Sequence, residues 1–392
     1  MTDSADWSDV EGDVCPSCVP DQGLSGWIAL EGAQSSTCSF CGRSTHTASV
    51  EDLFNYMLSV IEREWSPASE SDQIPFSHEF RGDPDFQPEE YETTDLLGLL
   101  DEPLGDDGRL RDMFCDALPE AWIHDDNWVG TARQNLEWSW EGFAEQLKSR
   151  TRFLILREPA MAAAPSAETP PHKMLDHLAH VIDQTDLIRV LPSGTLLFRG
   201  RKHRPDEVFK TSADLGAPHA RYAEAQRMSP PGISFFYGST DAETCLAELR
   251  GLQGELAIVG RWSSNRPLTI LDLVDLPATP SIFDWIYGDI HDLVLFARWF
   301  VGQITKPVLA HDRPQVDYIP SQVVAEFIRF AMTSDDGASI DGIRFPSVAQ
   351  TGGINLALFD GPALHEDDDP TLTLLDTLDY RAEDVTVRWL EH

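Results

Sequence analysis

The sequence predicts a multidomain α+β protein in which a small cysteine-rich module and an acidic helical region precede a larger domain of mixed strands and helices. The chain has 392 residues, and at about 100–200 residues per domain this length predicts two or three domains. Two pairs of closely spaced cysteines lie near the N-terminus, and strand-like and helix-like segments alternate toward the C-terminus without a regular βαβ rhythm. That irregular alternation is typical of an α+β fold.

The negative charge of the chain disfavours two classes of binding partner, nucleic acids and anionic membranes. The chain has 66 acidic and 29 basic residues, a formal net charge of −37, which disfavours binding to nucleic acid or to an anionic membrane because both require a cationic surface. No stretch approaches the about 18 apolar residues of a membrane span. The first residues are acidic and include no apolar segment of the kind found in signal peptides. These features predict a cytoplasmic protein with no membrane partner.

Four of the six cysteines form a pattern typical of a zinc site. Cys15 and Cys18 form one CxxC pair, Cys38 and Cys41 form a second, and nineteen residues separate the pairs. This spacing predicts a structural Zn²⁺ bound by four thiolates, with no open coordination position for chemistry. Two disulfides or a redox pair are the alternatives, and the absence of a secretion signal disfavours them. We assign the zinc-ribbon-like module to residues 1–48.

Composition divides the rest of the chain into three parts. Residues 49–160 are acidic and show helical periodicity at 52–61 and 134–143, so they are predicted to form a helical domain. Residues 161–171, rich in alanine and proline, are predicted to be a linker. Residues 172–392 form the predicted mixed domain.

Within the mixed domain, hydrophobic patterns predict three helices and six strands. The predicted helices cover residues 176–190, 241–250 and 321–330. The predicted strands cover residues 195–201, 233–237, 256–260, 268–273, 342–345 and 355–359.

Side chains of three chemical types, guanidinium, carboxylate and hydroxyl, lie toward the ends of these segments. Arg199 and Arg201 are in a short apolar strand and require an anionic partner, either a carboxylate or a bound phosphate. Glu248 is near the end of an apolar helix, and Ser347 begins a loop that runs through two glycines. Considered singly, each has a structural explanation: an ion pair, a carboxylate on a helix surface, or a turn residue.

Five segments in chain order resemble the RES domain family, which is named for an arginine, a glutamate and a serine. The segments are Leu197–Arg201, Ser229–Ser239, Ala242–Leu249, Tyr318–Ile328 and Asp341–Ser347, the last followed by Asn355–Phe359. The resemblance covers residues 172–362, about half of the chain. The cysteine pairs and the acidic helical region are similar to an N-terminal extension of some RES proteins that is grouped with HEPN domains.

The resemblance implies an ADP-ribosyltransferase-like fold and an NAD⁺-degrading toxin of a two-gene module, with water or phosphate as the acceptor. Matching motifs make Glu248, Arg199 and Ser347 the catalytic candidates. The candidates for NAD⁺ binding are Arg199, Arg201, Arg227, Tyr237, Ser347 and Asn355. The family's glycine-arginine-aromatic-asparagine stretch reads Gln226-Arg227-Met228-Ser229 here, so only the arginine of that stretch matches. Arg201 competes for the role of first arginine.

The chemistry of NAD⁺ is consistent with these roles. The pyrophosphate suits arginine, and cleavage of the nicotinamide–ribose bond builds oxocarbenium character that a carboxylate stabilises. We expect Arg199, with Arg227 or Arg201, to bind the pyrophosphate and Glu248 to stabilise the ribosyl cation. Tyr237 would stack on nicotinamide or ribose, and Ser347 would hydrogen-bond the amide or a phosphate.

The sequence leaves two alternative functions and several candidate partners undecided. The alternatives are an ADP-ribosyltransferase that modifies a macromolecule and a non-catalytic nucleotide-binding regulatory module. Besides NAD⁺, the partners that the resemblance suggests are inorganic phosphate, a protein antitoxin or regulator, and a second copy of the chain. The helical region has no arginine followed five residues later by histidine, the element on which HEPN nucleases rely, so regulation, docking or dimerisation is its expected role.

Overall fold

The fold is taken from a computed structural model. It describes residues 7, 10–31, 34–69, 89–105, 108–118, 121–124, 131–153, 171–209, 211–249, 256–307, 314–360 and 371–381. The predicted linker lies outside these residues except for its last position. None of the helices in the described part of the chain is long and apolar enough to cross a bilayer.

The chain forms two compact units, and each unit is built from two separate segments of the sequence. The first unit comprises Met1–Asn135 with Ala278–Leu295, and the second comprises Leu136–Pro277 with Phe296–His392. Strands and helices occur in both, which confirms the predicted α+β class.

The first unit combines short strands with helices. Its elements, in order, are β1 Asp13–Val14, α1 Gln22–Glu31, β2 Gln34–Thr37, β3 Ser44–Ser49, α2 Val50–Ile61, β4 Trp65–Pro67, β5 Tyr91–Glu92, α3 Thr93–Leu99, α4 Arg109–Ala117 and β6 Ala121–His124. The next helix, α5 Ala132–Ser149, begins in the first unit and belongs to the second from Leu136 on. Two three-stranded sheets have the orders β1-β3-β2 and β4-β6-β5.

The predicted helical periodicity of residues 52–61 corresponds to α2. Ser49 is its N-cap and accepts a hydrogen bond from the amide of Asp52 at 3.0 Å, which satisfies one of the free amides of the first turn. Leu53, Phe54 and Met57 are fully buried at the spacing of one helix face. Phe283, from the Ala278–Leu295 segment, is buried in the same hydrophobic core.

The second unit is organised around an eight-stranded sheet. Its elements, in order, are α6 Met174–Gln184, β7 Ile188–Leu191, β8 Leu196–His203, α7 Ser212–Leu215, β9 Phe236–Ser239, α8 Ala242–Glu248, β10 Leu256–Ser264, β11 Leu268–Asp272, α9 His291–Ile304 (from Phe296 on), α10 Pro314–Asp317, α11 Ile319–Ala331, β12 Gly342–Pro346, β13 Ile354–Leu358 and β14 Leu372–Arg381. The strand order is β14-β10-β8-β9-β13-β12-β11-β7.

Short 3₁₀ helices occur in both units and cover Pro16–Cys18, Pro171–Lys173, Ala220–Tyr222 and Gly288–Ile290.

Several element boundaries differ from the sequence prediction, and two of the differences have a clear structural cause. The helix predicted over 176–190 ends at Gln184, because Asp186 has a left-handed backbone (φ 50°) and Ile188 begins a strand that pairs with β11. The strand predicted over 233–237 lies at Phe236–Ser239 instead, because a turn with Gly232 at φ 87° precedes it. Both shifts depend on pairing with strands that are distant in sequence.

The register of the sheet brings the candidate residues together. Phe198 of β8 pairs with Ser239 of β9, Ser239 pairs with Asn355 of β13, and Asn355 pairs with Phe345 of β12. Four neighbouring strands therefore align at one level, beside Arg199 and two residues before Ser347. No local pattern predicts this alignment, since it depends on the order of the strands.

Candidate functional site

A cavity of about 370 Å³ opens at this level of the sheet in the second unit. Five of the predicted residues line it: Arg199, Arg227, Tyr237, Glu248 and Asn355. Ser347 and Arg201 are not among the lining residues. The cavity thus brings together groups from four strands and loops that are up to 156 positions apart in sequence (355 − 199).

Glu248 is the last residue of α8, and two close approaches hold this helix against the sheet. Asp241 caps the helix by accepting from the amide of Thr244 at 2.7 Å. A Cβ on Gly200 of β8 would lie 2.8 Å from a Leu249 side-chain carbon, and a Cβ on Gly353 would lie 2.5 Å from the Thr244 hydroxyl. Only glycine allows the strand and the loop to approach the helix so closely.

Two side chains hold one oxygen of the Glu248 carboxylate. Its Oε1 accepts from Ser347 Oγ at 2.6 Å and from Asn355 Nδ2 at 2.7 Å. Among the described residues, Oε2 has no hydrogen-bond donor. The carboxylate is therefore oriented by one oxygen and presents the other to the cavity.

Ser347 acts on Glu248 rather than on the cavity itself. Its Oγ accepts from the amides of Ala349 and Gln350, each at 3.2 Å, so its own proton is directed to Glu248. Its backbone amide donates to the carbonyl of Gly353 at 2.8 Å. These bonds fix the loop and give Ser347 the geometry of a positioning residue.

Ser239 is a site residue that the sequence analysis did not single out. It is buried, and its Oγ donates to Asn355 Oδ1 at 2.7 Å. Because the Asn355 oxygen is occupied by Ser239, its amide nitrogen must point to Glu248. The signal in the sequence is the spacing of two residues between Tyr237 and Ser239, which places both on the same side of β9.

Arg199 extends into the cavity from β8 without an acidic partner. Its Nη1 donates to the carbonyl of Tyr237 at 2.7 Å, and its Nε donates to the carbonyl of Gly216 at 3.1 Å. Burial and the nearby charge of Arg201 lower the pKa of Arg199 to about 10. No carboxylate of the described residues lies within ion-pair distance of it. A partly buried cation held only by neutral carbonyls favours an anionic ligand.

The other two predicted arginines have different surroundings. Arg201 donates from Nη1 to the carbonyl of Asp214 at 2.9 Å and lies over the ring of Phe209, so it is held away from the residues that line the cavity. Arg227 lines the cavity, donates to the carbonyl of Ile304 at 2.8 Å and lies over the Tyr318 ring. Arg227 is therefore better placed than Arg201 to contact a ligand beside Arg199.

Tyr237 holds the wall of the cavity through its hydroxyl. Its Oη accepts from the amide of Met228 at 3.2 Å and shares a hydrogen bond with Ser229 Oγ at 3.0 Å. Burial raises the pKa of Tyr237 to about 12, so the hydroxyl stays protonated at neutral pH. These bonds attach the loop that contains Arg227 to β9.

The first unit contains the predicted metal centre. The ligand atoms of Cys15, Cys18, Cys38 and Cys41 all lie within 4.8 Å of one another. Three of the sulfur–sulfur distances are 3.6, 3.7 and 3.8 Å. Four sulfurs at the zinc–sulfur distance of about 2.3 Å lie about 3.8 Å apart in a regular tetrahedron, whereas a disulfide requires about 2.05 Å.

The backbone around the cysteines also suits a metal. Gly42, at φ 70°, turns the second knuckle and donates its amide to the carbonyl of Cys38 at 2.9 Å. Hydrogen bonds from the backbone amides of Cys41 and Phe40 outweigh the effect of burial and lower the pKa of Cys38, whereas burial raises the pKa of Cys15 and of Cys18. The cluster can hold a metal ion with four sulfur ligands and no open position.

Comparison with protein-family models gives a match for two regions of the chain. Residues 197–383 match the RES domain, and residues 31–160 match HEPN/RES N-terminal domain 1. No curated protein gives a significant match to the chain, and no solved structure does so.

These matches confirm the resemblance to the RES family. The RES match includes the six residues Arg199, Arg227, Tyr237, Glu248, Ser347 and Asn355. The RES family is compatible with NAD⁺-related catalysis. The chain therefore carries a HEPN/RES N-terminal domain 1 followed by a RES domain, a combination that fits a toxin- or defence-type module.

Proposed function

We propose that this protein consumes NAD⁺ by breaking the bond between nicotinamide and ribose. The observation that carries the proposal is the pairing, in one cavity, of an oriented carboxylate with a cation that forms no ion pair among the described residues. Within that part of the chain, one oxygen of Glu248 has no hydrogen-bond donor, and Arg199 donates only to the neutral carbonyls of Tyr237 and Gly216. NAD⁺ supplies a matching diphosphate and an electron-deficient ribose carbon.

The substrate would be held by its diphosphate. Arg199 and Arg227 are the guanidinium groups of the cavity wall, and each has N–H groups suited to phosphate oxygens. Binding an anion would also offset the cost of the partly buried Arg199 charge. We expect Arg201 to contribute at most indirectly.

The bond between C1′ of the ribose and the nicotinamide nitrogen then breaks. The electron pair leaves with the nitrogen, so nicotinamide departs as a neutral molecule without protonation, and positive charge develops on the ribose. The free oxygen of Glu248 stabilises that charge. An acceptor oxygen, from water or phosphate, then bonds to C1′; water loses a proton in this step, for which Glu248 is the nearest candidate base.

Turnover of NAD⁺ by the purified protein, with and without phosphate, tests the proposal. Free nicotinamide with ADP-ribose, or with ADP-ribose 1″-phosphate when phosphate is present, is the expected result. Label from NAD⁺ attached covalently to a macromolecule would replace the proposal with ADP-ribosyltransfer. Binding of NAD⁺ without nicotinamide release would replace it with a non-catalytic nucleotide-binding module.

A substitution of the carboxylate tests its role. Glu248→Gln should lower kcat by about 10²–10³ because the preorganised charge is lost. Glu243→Gln is the matched control, since Glu243 is on the same helix but does not line the cavity. Equal loss of activity in both variants would contradict the assigned role of Glu248.

We also propose a metal ligand, a location and macromolecular partners for this protein. The four-cysteine cluster is proposed to bind a structural Zn²⁺, and the protein is proposed to act in the cytoplasm. A protein antitoxin or regulator and a second copy of the chain are the proposed macromolecular partners, without nucleic acid or membrane.

A further inference from the structure

A second cavity of about 380 Å³ lies beside the proposed NAD⁺ site in the second unit. The two cavities share Arg227 and Tyr318 as lining residues. Trp140 and Lys148 of α5 line the second cavity together with residues at the C-terminal end of α9 and the start of α11. Arg227 therefore has the proposed substrate on one side and a helical framework on the other.

This framework sets the position of Arg227. Its Nη1 donates to the carbonyl of Ile304, the last residue of α9, at 2.8 Å, and its guanidinium lies 5.2 Å from the centre of the Tyr318 ring. Its own carbonyl accepts from Ser321 Oγ at 2.5 Å. Arg227 is in a loop, so its side chain depends on α9 and α11 for its orientation.

Helix α5 contacts both parts of the framework. The Trp140 ring packs edge-on against Phe300 at 4.8 Å, one helical turn before Ile304. Near the C-terminal end of α5, Lys148 Nζ lies 3.7 Å from Asp317 Oδ1, and Asp317 precedes Tyr318 in the chain. Both side chains of this ion pair are about one-third exposed, at 34% and 35%, so it is less screened than a fully exposed pair.

Helix α5 belongs to the N-terminal family domain by its sequence, but most of it lies in the compact unit of the RES domain. α5 lies within residues 31–160, which match the HEPN/RES N-terminal domain, whereas Arg227 lies within the RES match. From Leu136 on, however, α5 belongs to the same compact unit as Arg227. The last helix of the N-terminal family domain is thus part of the structure that surrounds Arg227.

We propose that α5 positions Arg227 for substrate binding, with Lys148 as a positioning residue that acts through Asp317 and Tyr318. The inference rests on the proposed NAD⁺ site. It assigns the N-terminal domain a defined task, which is to set the affinity of the RES domain for its substrate. Lys148 touches neither the substrate nor Arg227, so its effect should appear in binding and not in the chemical step.

Lys148→Met removes the charge and keeps most of the side-chain length. The variant should raise KM for NAD⁺ about three- to fivefold, the effect of losing one partly exposed ion pair, with kcat within about twofold of the wild type. Lys148→Arg should restore KM. Asp317→Asn should match Lys148→Met, and the double variant should be no worse than either single variant. A fall in kcat with KM unchanged would overturn the inference.

Lys306→Met is the matched control for charge. Lys306 lines the same cavity, but its Nζ donates to Gln303 instead of Asp317, so this variant should leave KM unchanged. In an Arg227→Met background, Lys148→Met should have no additional effect. An equal increase in KM for both lysine variants, or an undiminished effect of Lys148→Met without Arg227, would overturn the inference.

Equilibrium binding separates this inference from the proposed function. Calorimetric Kd values for NAD⁺, measured in a Glu248→Gln background where the ligand is consumed about 10²–10³ times more slowly, should show the same three- to fivefold change for Lys148→Met. If NAD⁺ binds with that pattern but the wild type releases no nicotinamide, the proposed function fails and the inference stands. If NAD⁺ binds with equal Kd to both proteins, the inference fails alone, and if NAD⁺ does not bind, both fail.

Discussion

Replacement of Asn355 by leucine tests whether the hydrogen-bond network around Glu248 supports catalysis. Asn355 is 8% exposed and connects Ser239 to Glu248 through two bonds of 2.7 Å each. Leucine has a similar size, so the change removes both bonds with little change in packed volume. Ser347 would remain as the only donor to Glu248 among the described residues.

The expected magnitude follows from the kind of bond that is lost. A hydrogen bond to a charged group contributes about 1.5–3 kcal/mol, and each 1.4 kcal/mol in a barrier is about tenfold in rate. Since the bond orients the carboxylate that stabilises the transition state, we expect kcat/KM for NAD⁺ to fall about 10- to 100-fold. The Ser239 hydroxyl, which is 3% exposed, would lose its acceptor, and this should lower the free energy of unfolding by about 1–3 kcal/mol.

Two measurements check this prediction. Steady-state nicotinamide release gives kcat/KM, and denaturant unfolding gives the stability of the same variant. Asn55→Leu, at an exposed position on α2, is the control for an asparagine-to-leucine change outside the site. A kcat/KM within twofold of the wild type would refute the view that Asn355 orients Glu248.

Two further predictions concern the first unit. Cys38→Ser, or removal of the metal by a chelator, should eliminate bound zinc and lower the melting temperature of the protein, because Val14 and Val19 flank the cluster and are buried in the core of this unit. Cys115→Ser, outside the cluster, is the control and should retain one zinc per chain by mass spectrometry. An unchanged melting temperature after chelation would contradict the prediction. The interaction with His124, whose Nε2 lies 3.7 Å from Glu64 Oε2, lowers the pKa of Glu64. Ionised Glu64 therefore favours the folded state at neutral pH, and this contribution, below about 1 kcal/mol for a carboxylate that is 53% exposed, is lost as the pH falls through the lowered pKa. Denaturant unfolding at pH 7 and pH 3 should show a smaller pH dependence for Glu64→Gln than for the wild type, and identical curves would contradict this prediction.

The two cysteine pairs and the individual RES motifs are local features and could be predicted from the sequence. Cys15 and Cys18 are close in sequence, as are Cys38 and Cys41, so each pair needs only one tight turn to converge. Arg199, Glu248 and Ser347 are likewise recognisable from the residues around them. In each case the information lies within about ten neighbouring positions.

The hydrogen-bond partners within the site could not be predicted in this way. The Ser239–Asn355–Glu248 connection depends on the pairing of β9 with β13, strands 116 positions apart at this contact. The sequence prediction also placed the strand of β9 too early, at 233–237, and therefore did not single out Ser239.

The four-cysteine pattern and the α+β class could be predicted from spacing and periodicity, and the candidate residues of the chemistry from the resemblance to the RES family. The folded chain shows in addition that Arg227 is held by the end of α9, 77 positions away, and that the Ala278–Leu295 segment belongs to the first unit. It also shows that Glu248 uses one oxygen for Ser347 and Asn355. These features are absent from local patterns because burial and hydrogen bonding are satisfied between segments distant in the chain, and their geometry exists only once the strands have paired.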